Sequence, residues 1–137
     1  MTEHTNASTP QIAWALLLDA IQSHAVAGGA WDLALQLHDL ASANTASEAA
    51  AMAADTAAHD AYQHSVKALT ATRALGHGTD GDTVQAQVQR WSAAAETSAH
   101  YSRYDAAGAD VRYHDNRTAS RHRKTVELLL LLVPLTV

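Results

Sequence analysis

TASEAAAMAADTAAHDAYQHSVKALTATRAL, residues 45–75, keeps one helical period along its whole length. It opens with Thr45 and Glu48 at the spacing of a capping box, in which the hydroxyl and the carboxylate each satisfy a free backbone N–H of the first turn. Gly76 follows, a residue suited to the left-handed position that ends a helix. Between them Met52, Asp55, His59, Tyr62, Val66, Leu69 and Arg73 alternate by three and four, like the inner positions of a bundle. Much of the remaining surface is Ala, which lets neighbouring helices approach closely.

The same reading extends in both directions. Alanine fills 31 of 137 positions, whereas Lys and Ile occur twice each and Phe never. Ala loses no side-chain entropy in a helix, and strand-favouring residues are scarce before the last dozen positions, so the fold class is all-α. The bias also fits a GC-rich bacterial or phage genome. Upstream, Thr9 and Pro10 form a helix start of capping residue and N1 proline. A helix over about 10–27, a turn at Gly28-Gly29 and a second helix over about 30–43 follow from the glycine pair. Downstream, Asp82 and Gln85 make another capping pair before a helix over about 83–107 with a seam of Val84, Val88, Trp91 and Ala95.

The expected architecture is therefore a four-helix-type bundle over 10–110, with helices at about 10–27, 30–43, 46–75 and 83–107. A disordered stretch over 1–9 precedes it. Residues 111–137 read as a basic arm followed by a Leu-rich segment, docked on the bundle or on a partner. Arg112, Arg117, Arg121, Arg123 and Lys124 form the arm, and Leu128, Leu129, Leu130, Leu131, Leu132 and Val133 are the candidate protein interface. Burying such a run contributes on the order of ten kcal/mol before entropy, so it is not expected to hang free.

Composition removes several functions. Without Cys there is no disulfide framework, thiolate nucleophile or Cys-bearing zinc site. The first nine residues have no apolar signal-type core and no apolar run reaches a bilayer span, which reads as a cytoplasmic protein without a membrane span. No Gly-x-Ser-x-Gly elbow singles out a nucleophilic serine, no Gly-rich phosphate loop is present, and no cofactor is expected. The formal charge of −5 counts nine His as neutral.

Polar residues on inward faces are the candidate chemistry. His24 stands beside Leu17 and Ile21, His38 lies one heptad after Trp31, and Asp55 with His59 sit on the seam of the third helix. A carboxylate and an imidazole four apart on one face are how helices supply two metal ligands, so Asp55, His59, His38 and His24 are the metal-binding alternative. With only four Glu and no Glu-x-x-His, a di-iron carboxylate centre is excluded. The plainer reading is ordinary imidazoles paired inside a bundle. In a helical segment Arg117, Arg121 and Lys124 share a face able to meet phosphates, which makes the basic arm the nucleic-acid alternative. An otherwise acidic chain without a recognition helix speaks against nucleic acid.

Tyr101-Ser102-Arg103-Tyr104-Asp105 fits the Tyr-x-x-x-Asp/Glu pattern of the helical hairpins secreted by type VII systems, and Trp31 lies near the glycine pair. Those proteins resemble a Trp-x-Gly hairpin, whereas Trp31 is followed by Asp32-Leu33, so no family is assigned. The sequence thus reads as a non-enzymatic helical protein acting by protein–protein contact, as a homo-oligomer or an adaptor.

Overall fold

The computed structural model describes residues 11–43, 47–77 and 81–137. Four helices pack against each other: α1 Trp14–Ala43, α2 Glu48–Arg73, α3 Val84–His100 and α4 Asp110–Leu130. A π-helical turn, Tyr101–Asp105, extends α3, and a 3-10 turn, Val133–Leu135, follows α4. Contacts run α1 to α2, α2 to α3, α3 to α4 and α4 back to α1, so the helices form a ring in chain order. No strand occurs among the described residues, and the all-α four-helix bundle stands.

Two boundaries differ from the sequence reading, and together they change which segments make the bundle. The glycine pair does not turn the chain; α1 runs straight through it for 30 residues. Two glycines weaken a helix by roughly 1 kcal/mol each, and here a long hydrogen-bonded ladder docked on both neighbours offsets that. Gly28 is buried against α4, where a Cβ built on it would lie 3.5 Å from the His122 Cβ. Merging the first two expected helices leaves one place open, and the expected basic arm fills it as α4. The expected starts at Thr9-Pro10 and Thr45, and the disordered stretch over 1–9, lie outside the described residues.

Local chemistry explains the helix ends. Ser47 caps α2 by accepting from the Ala50 N–H, and Thr83 caps α3 by accepting from the Ala86 N–H. Gln85, expected as part of a cap for its own helix, instead turns to α2 and donates to the carbonyls of Leu75 and Gly76. Gln89 joins it on the carbonyls of Thr72 and Gly76. Gly76 takes the left-handed conformation expected of it, at φ 75°.

The inner faces are offset from those expected. In α2 the buried positions are Ala54, Ala58, Ala61, Ser65, Ala68, Leu69, Ala71 and Thr72, while Met52 is 70% exposed and Asp55 and His59 face outward. In α3, Gln85, Val88, Ser92, Ala95 and Ala99 are inside, and Trp91 lies at the surface. Small residues hold these seams because α1 supplies the bulk, through Leu17, His24 and Trp31. Apolar side chains gather in two clusters. One joins Ile12, Leu17, Val88, Leu128, Leu129 and Leu132; the other surrounds Trp31 with Ala34, Ala58, Ala61, Ala99 and Ala119.

The Leu-rich segment docks on its own chain. Leu128, Leu129 and Leu132 are core, and the backbone then pairs with the segment just before α1 through Ile12 N–H to Leu135 O at 2.9 Å and Val137 N–H to Ile12 O at 3.0 Å. Only Leu130, Leu131 and Val133 of the expected interface face outward.

Candidate functional site

A polar layer separates the two apolar clusters, and every helix contributes to it. His24 of α1 and His122 of α4 meet with their Nδ1 atoms 2.8 Å apart. The other nitrogen of His24 lies 2.6 Å from Thr72 Oγ1 of α2 and 3.1 Å from Ser92 Oγ of α3. The other nitrogen of His122 lies 2.7 Å from Ser65 Oγ, which accepts from the Trp31 indole N–H at 2.8 Å. All six side chains are buried.

The bonds fix how protons are arranged. Thr72 donates to the Ala68 carbonyl, so its oxygen accepts from His24 Nε2–H. His24 Nδ1 is then a bare lone pair, and His122 Nδ1–H donates to it. His122 Nε2 in turn accepts the Ser65 hydroxyl proton. One directed chain results, from the Trp31 N–H through Ser65, His122, His24 and Thr72 to the Ala68 carbonyl, with both imidazoles neutral. Burial pushes the pKa of His24 down to about 4, and burial together with His24 itself pushes that of His122 down to about 3. Among the described residues no buried side-chain polar atom lacks a partner.

A second polar cluster closes the other end of the bundle. The carboxylate of Asp115, fully buried on α4, accepts from Ser102 of the π-helical turn and from His38 Nδ1 of α1. The π-helical turn brings Ser102 inward at the point where α3 leaves the bundle, and Gly108 at φ 52° reverses the chain into α4. Tyr101 stacks on His114 nearby, and Tyr62, His100 and Tyr104 form a ring cluster on the adjacent surface.

The four candidate metal ligands are not brought together. His24 and His38 occupy separate polar layers, while Asp55 and His59 lie on the outer surface of α2, where Arg103 reaches them at 3.0 and 3.4 Å. No group of three His, Asp or Glu able to hold a metal ion occurs among the described residues. Sequence reasoning placed His24 and His38 inward, as found, but missed Ser65, Thr72, Ser92, Ser102, Asp115 and His122.

The five basic residues separate into two sets. Arg112 and Arg123 tie α4 to α1 through Asp39 at 3.3 Å and Asp32 at 3.1 Å. Arg117, Arg121 and Lys124 line the groove between α3 and α4 with Trp91. No helix among the described residues is long and apolar enough to cross a membrane. No family model, curated protein or solved structure matches the chain.

Proposed function

We propose that the protein is a non-enzymatic helical bundle that works by contact, self-associating through the outer face of α1. The observation carrying this reading is a stripe of Val26, Leu33 and Leu40, which are 52%, 52% and 62% exposed and seven residues apart. These positions lie two residues on from the inner seam of His24, Trp31 and His38, so 200° of rotation carries them to the opposite side of the helix. The same register on the other helices is mostly polar: Thr56, Asp60, Gln63, Lys67 and Thr70 on α2, Gln87, Arg90 and Thr97 on α3, and Arg117, Ser120, Lys124 and Glu127 on α4. Among the described residues, α1 alone repeats a large apolar residue three times at heptad spacing on its outer side, with Gln22, Gly29 and Gln36 at the alternate positions.

A second copy of the chain suits this stripe because it is symmetric about Leu33. In an antiparallel pairing with a two-fold axis at Leu33, each Val26 meets the Leu40 of the other copy, as a self-complementary dimer interface requires. Absolute mass by light scattering on a sizing column tests the reading, comparing the intact chain with Leu33→Glu. A dimer that becomes a monomer of unchanged helicity supports it. A monomeric intact chain at its highest soluble concentration overturns it, and so does a dimer indifferent to Leu33→Glu.

A further inference from the structure

We infer that the groove between α3 and α4 is a binding site for a phosphate joined to an aromatic base, the chemistry shared by free nucleotides and single-stranded nucleic acid. The groove holds a cavity of about 440 Å³ lined by Trp91, Arg117, Ser120, Arg121 and Lys124. Three cations, one hydroxyl and one indole meet there, and among the described residues no Asp or Glu lines it. That is unusual for a chain with 14 acidic residues against nine Lys and Arg.

The other two basic residues of α4 show what a structural arginine does in this fold. Arg112 and Arg123 each reach across to an Asp of α1, and the charge is balanced. Among the described residues, the groove cations have no such partner on a neighbouring helix. Arg117 donates to the Tyr113 hydroxyl at 3.1 Å and lies over that ring, and Lys124 has Glu127 of its own helix at 3.7 Å. Arg121 is held in place by Nη1, which donates to Ala94 O at 2.8 Å and to Ser98 Oγ. Burial and then the nearby Arg117 charge both weaken the hold of Arg121 on its proton. Two guanidinium groups close enough to repel, with no carboxylate on the cavity wall, leave a positive potential that a bound anion relieves.

Trp91 adds the second half of the recognition. It is 37% exposed on the helix whose inner seam is filled by small residues, so its ring forms a wall of the groove instead of core. An indole beside cations is the pairing by which proteins hold a base by stacking and its phosphate by charge. The cavity is large enough for one nucleoside phosphate, and it is open to solvent, which also admits a strand.

The test is titration of the intact protein followed by the indole N–H signals in NMR, with the Trp91 signal identified by its loss in Trp91→Phe. Adenosine monophosphate, adenosine, inorganic phosphate and a ten-residue oligothymidylate are the probes. The site predicts a saturable shift of the Trp91 signal with the monophosphate or the oligonucleotide, with the Trp31 signal unmoved. Adenosine or phosphate alone should bind about tenfold or more weakly, since each supplies half of the contacts. Tighter binding of the oligonucleotide identifies a strand as the source, with affinity falling at a slope of about −2 in log salt for three phosphate contacts. Tighter binding of the monophosphate identifies a free nucleotide. Arg117→Gln with Lys124→Gln, two surface changes, should weaken either ligand at least about tenfold. No saturable shift with any probe overturns the proposal, as does binding that the double variant leaves unchanged.

Discussion

His24 and His122 face each other nitrogen to nitrogen, Nδ1 to Nδ1 at 2.8 Å, in the middle of the bundle. Each ring is bonded at its other nitrogen to a hydroxyl, so one ring must donate and the other accept. The pair can take one extra proton only at His122 Nε2, by turning the Ser65 hydroxyl around. It cannot take two, because two N–H groups would then point at each other across a bond length. A neutral pair is the state this core is built around.

Acid should therefore loosen the fold well above the range where carboxylates titrate. Both folded-state pKa values, about 4 and about 3, lie below the ordinary 6.5. Below pH 6.5 the unfolded chain binds protons that the folded chain refuses, so stability falls as pH drops. The loss continues until about 4 for His24 and about 3 for His122, at up to about 1.4 kcal/mol per pH unit and histidine. The nearest charges in the outer groove beside His24 are Asp32, Arg123 and Glu127, of which the first two pair with each other. Urea unfolding between pH 7 and 4 checks this, and a flat profile would contradict it.

Replacing both histidines should cost less than the two single replacements added together. His122→Leu leaves the His24 Nδ1 lone pair without a partner in a buried site, at a cost of about 1–3 kcal/mol. His24→Leu with His122→Leu removes the facing nitrogens together and leaves hydroxyls that can bond to their own helices. The double variant should lose less stability than the sum of the single ones and should have a flatter acid profile between pH 6.5 and 4. Additive losses in a double-mutant cycle would show that the two rings do not act as a pair.

His24 and His38 could be read as inward because they share a heptad with Leu17 and Trp31, and a large apolar residue marks a buried face. His122 could not be found that way, since it stands among Arg117, Arg121, Arg123 and Lys124, and charge dominated the reading of that segment. A signal was present: Asp115, Thr118, His122, Thr125, Leu129 and Leu132 keep the three-and-four spacing into the Leu run. The same preference for bulk points to Met52 as an inner residue of α2, whereas the seam is Ala54, Ala58 and Ala61. Which face of an Ala-rich helix is buried depends on what its neighbours bring, and that information lies elsewhere in the chain.

Shortening the chain at Lys124 should abolish folding instead of releasing a stable monomer. Leu128, Leu129 and Leu132 are buried with Leu17 and Val88, and each contributes roughly 2–3 kcal/mol. The cut also removes Thr125 from the interior and the backbone pairing with Ile12. The combined loss rivals the whole net stability of a domain this size. Circular dichroism of the shortened chain should show little cooperative thermal unfolding, and a sharp transition near that of the intact protein would return the Leu segment to the role of a detachable contact surface.

Gly29 offers a direct test of the continuous α1. A turn at Gly28-Gly29 would place at least one glycine where a side chain is strained, and Ala there would destabilise. In the observed helix Gly29 has no positive φ, and a Cβ built on it meets nothing within 4 Å. Ala at that position keeps the ladder, adds no clash and reduces the freedom of the unfolded chain, so Gly29→Ala should stabilise by about 1 kcal/mol. Gly28→Ala should be closer to neutral, because its Cβ would touch the His122 Cβ at ordinary contact distance, 3.5 Å, beside the central histidine pair. Thermal unfolding of both variants decides between helix and hairpin: a raised midpoint for Gly29→Ala belongs to the helix, and a midpoint lowered by several degrees belongs to the turn.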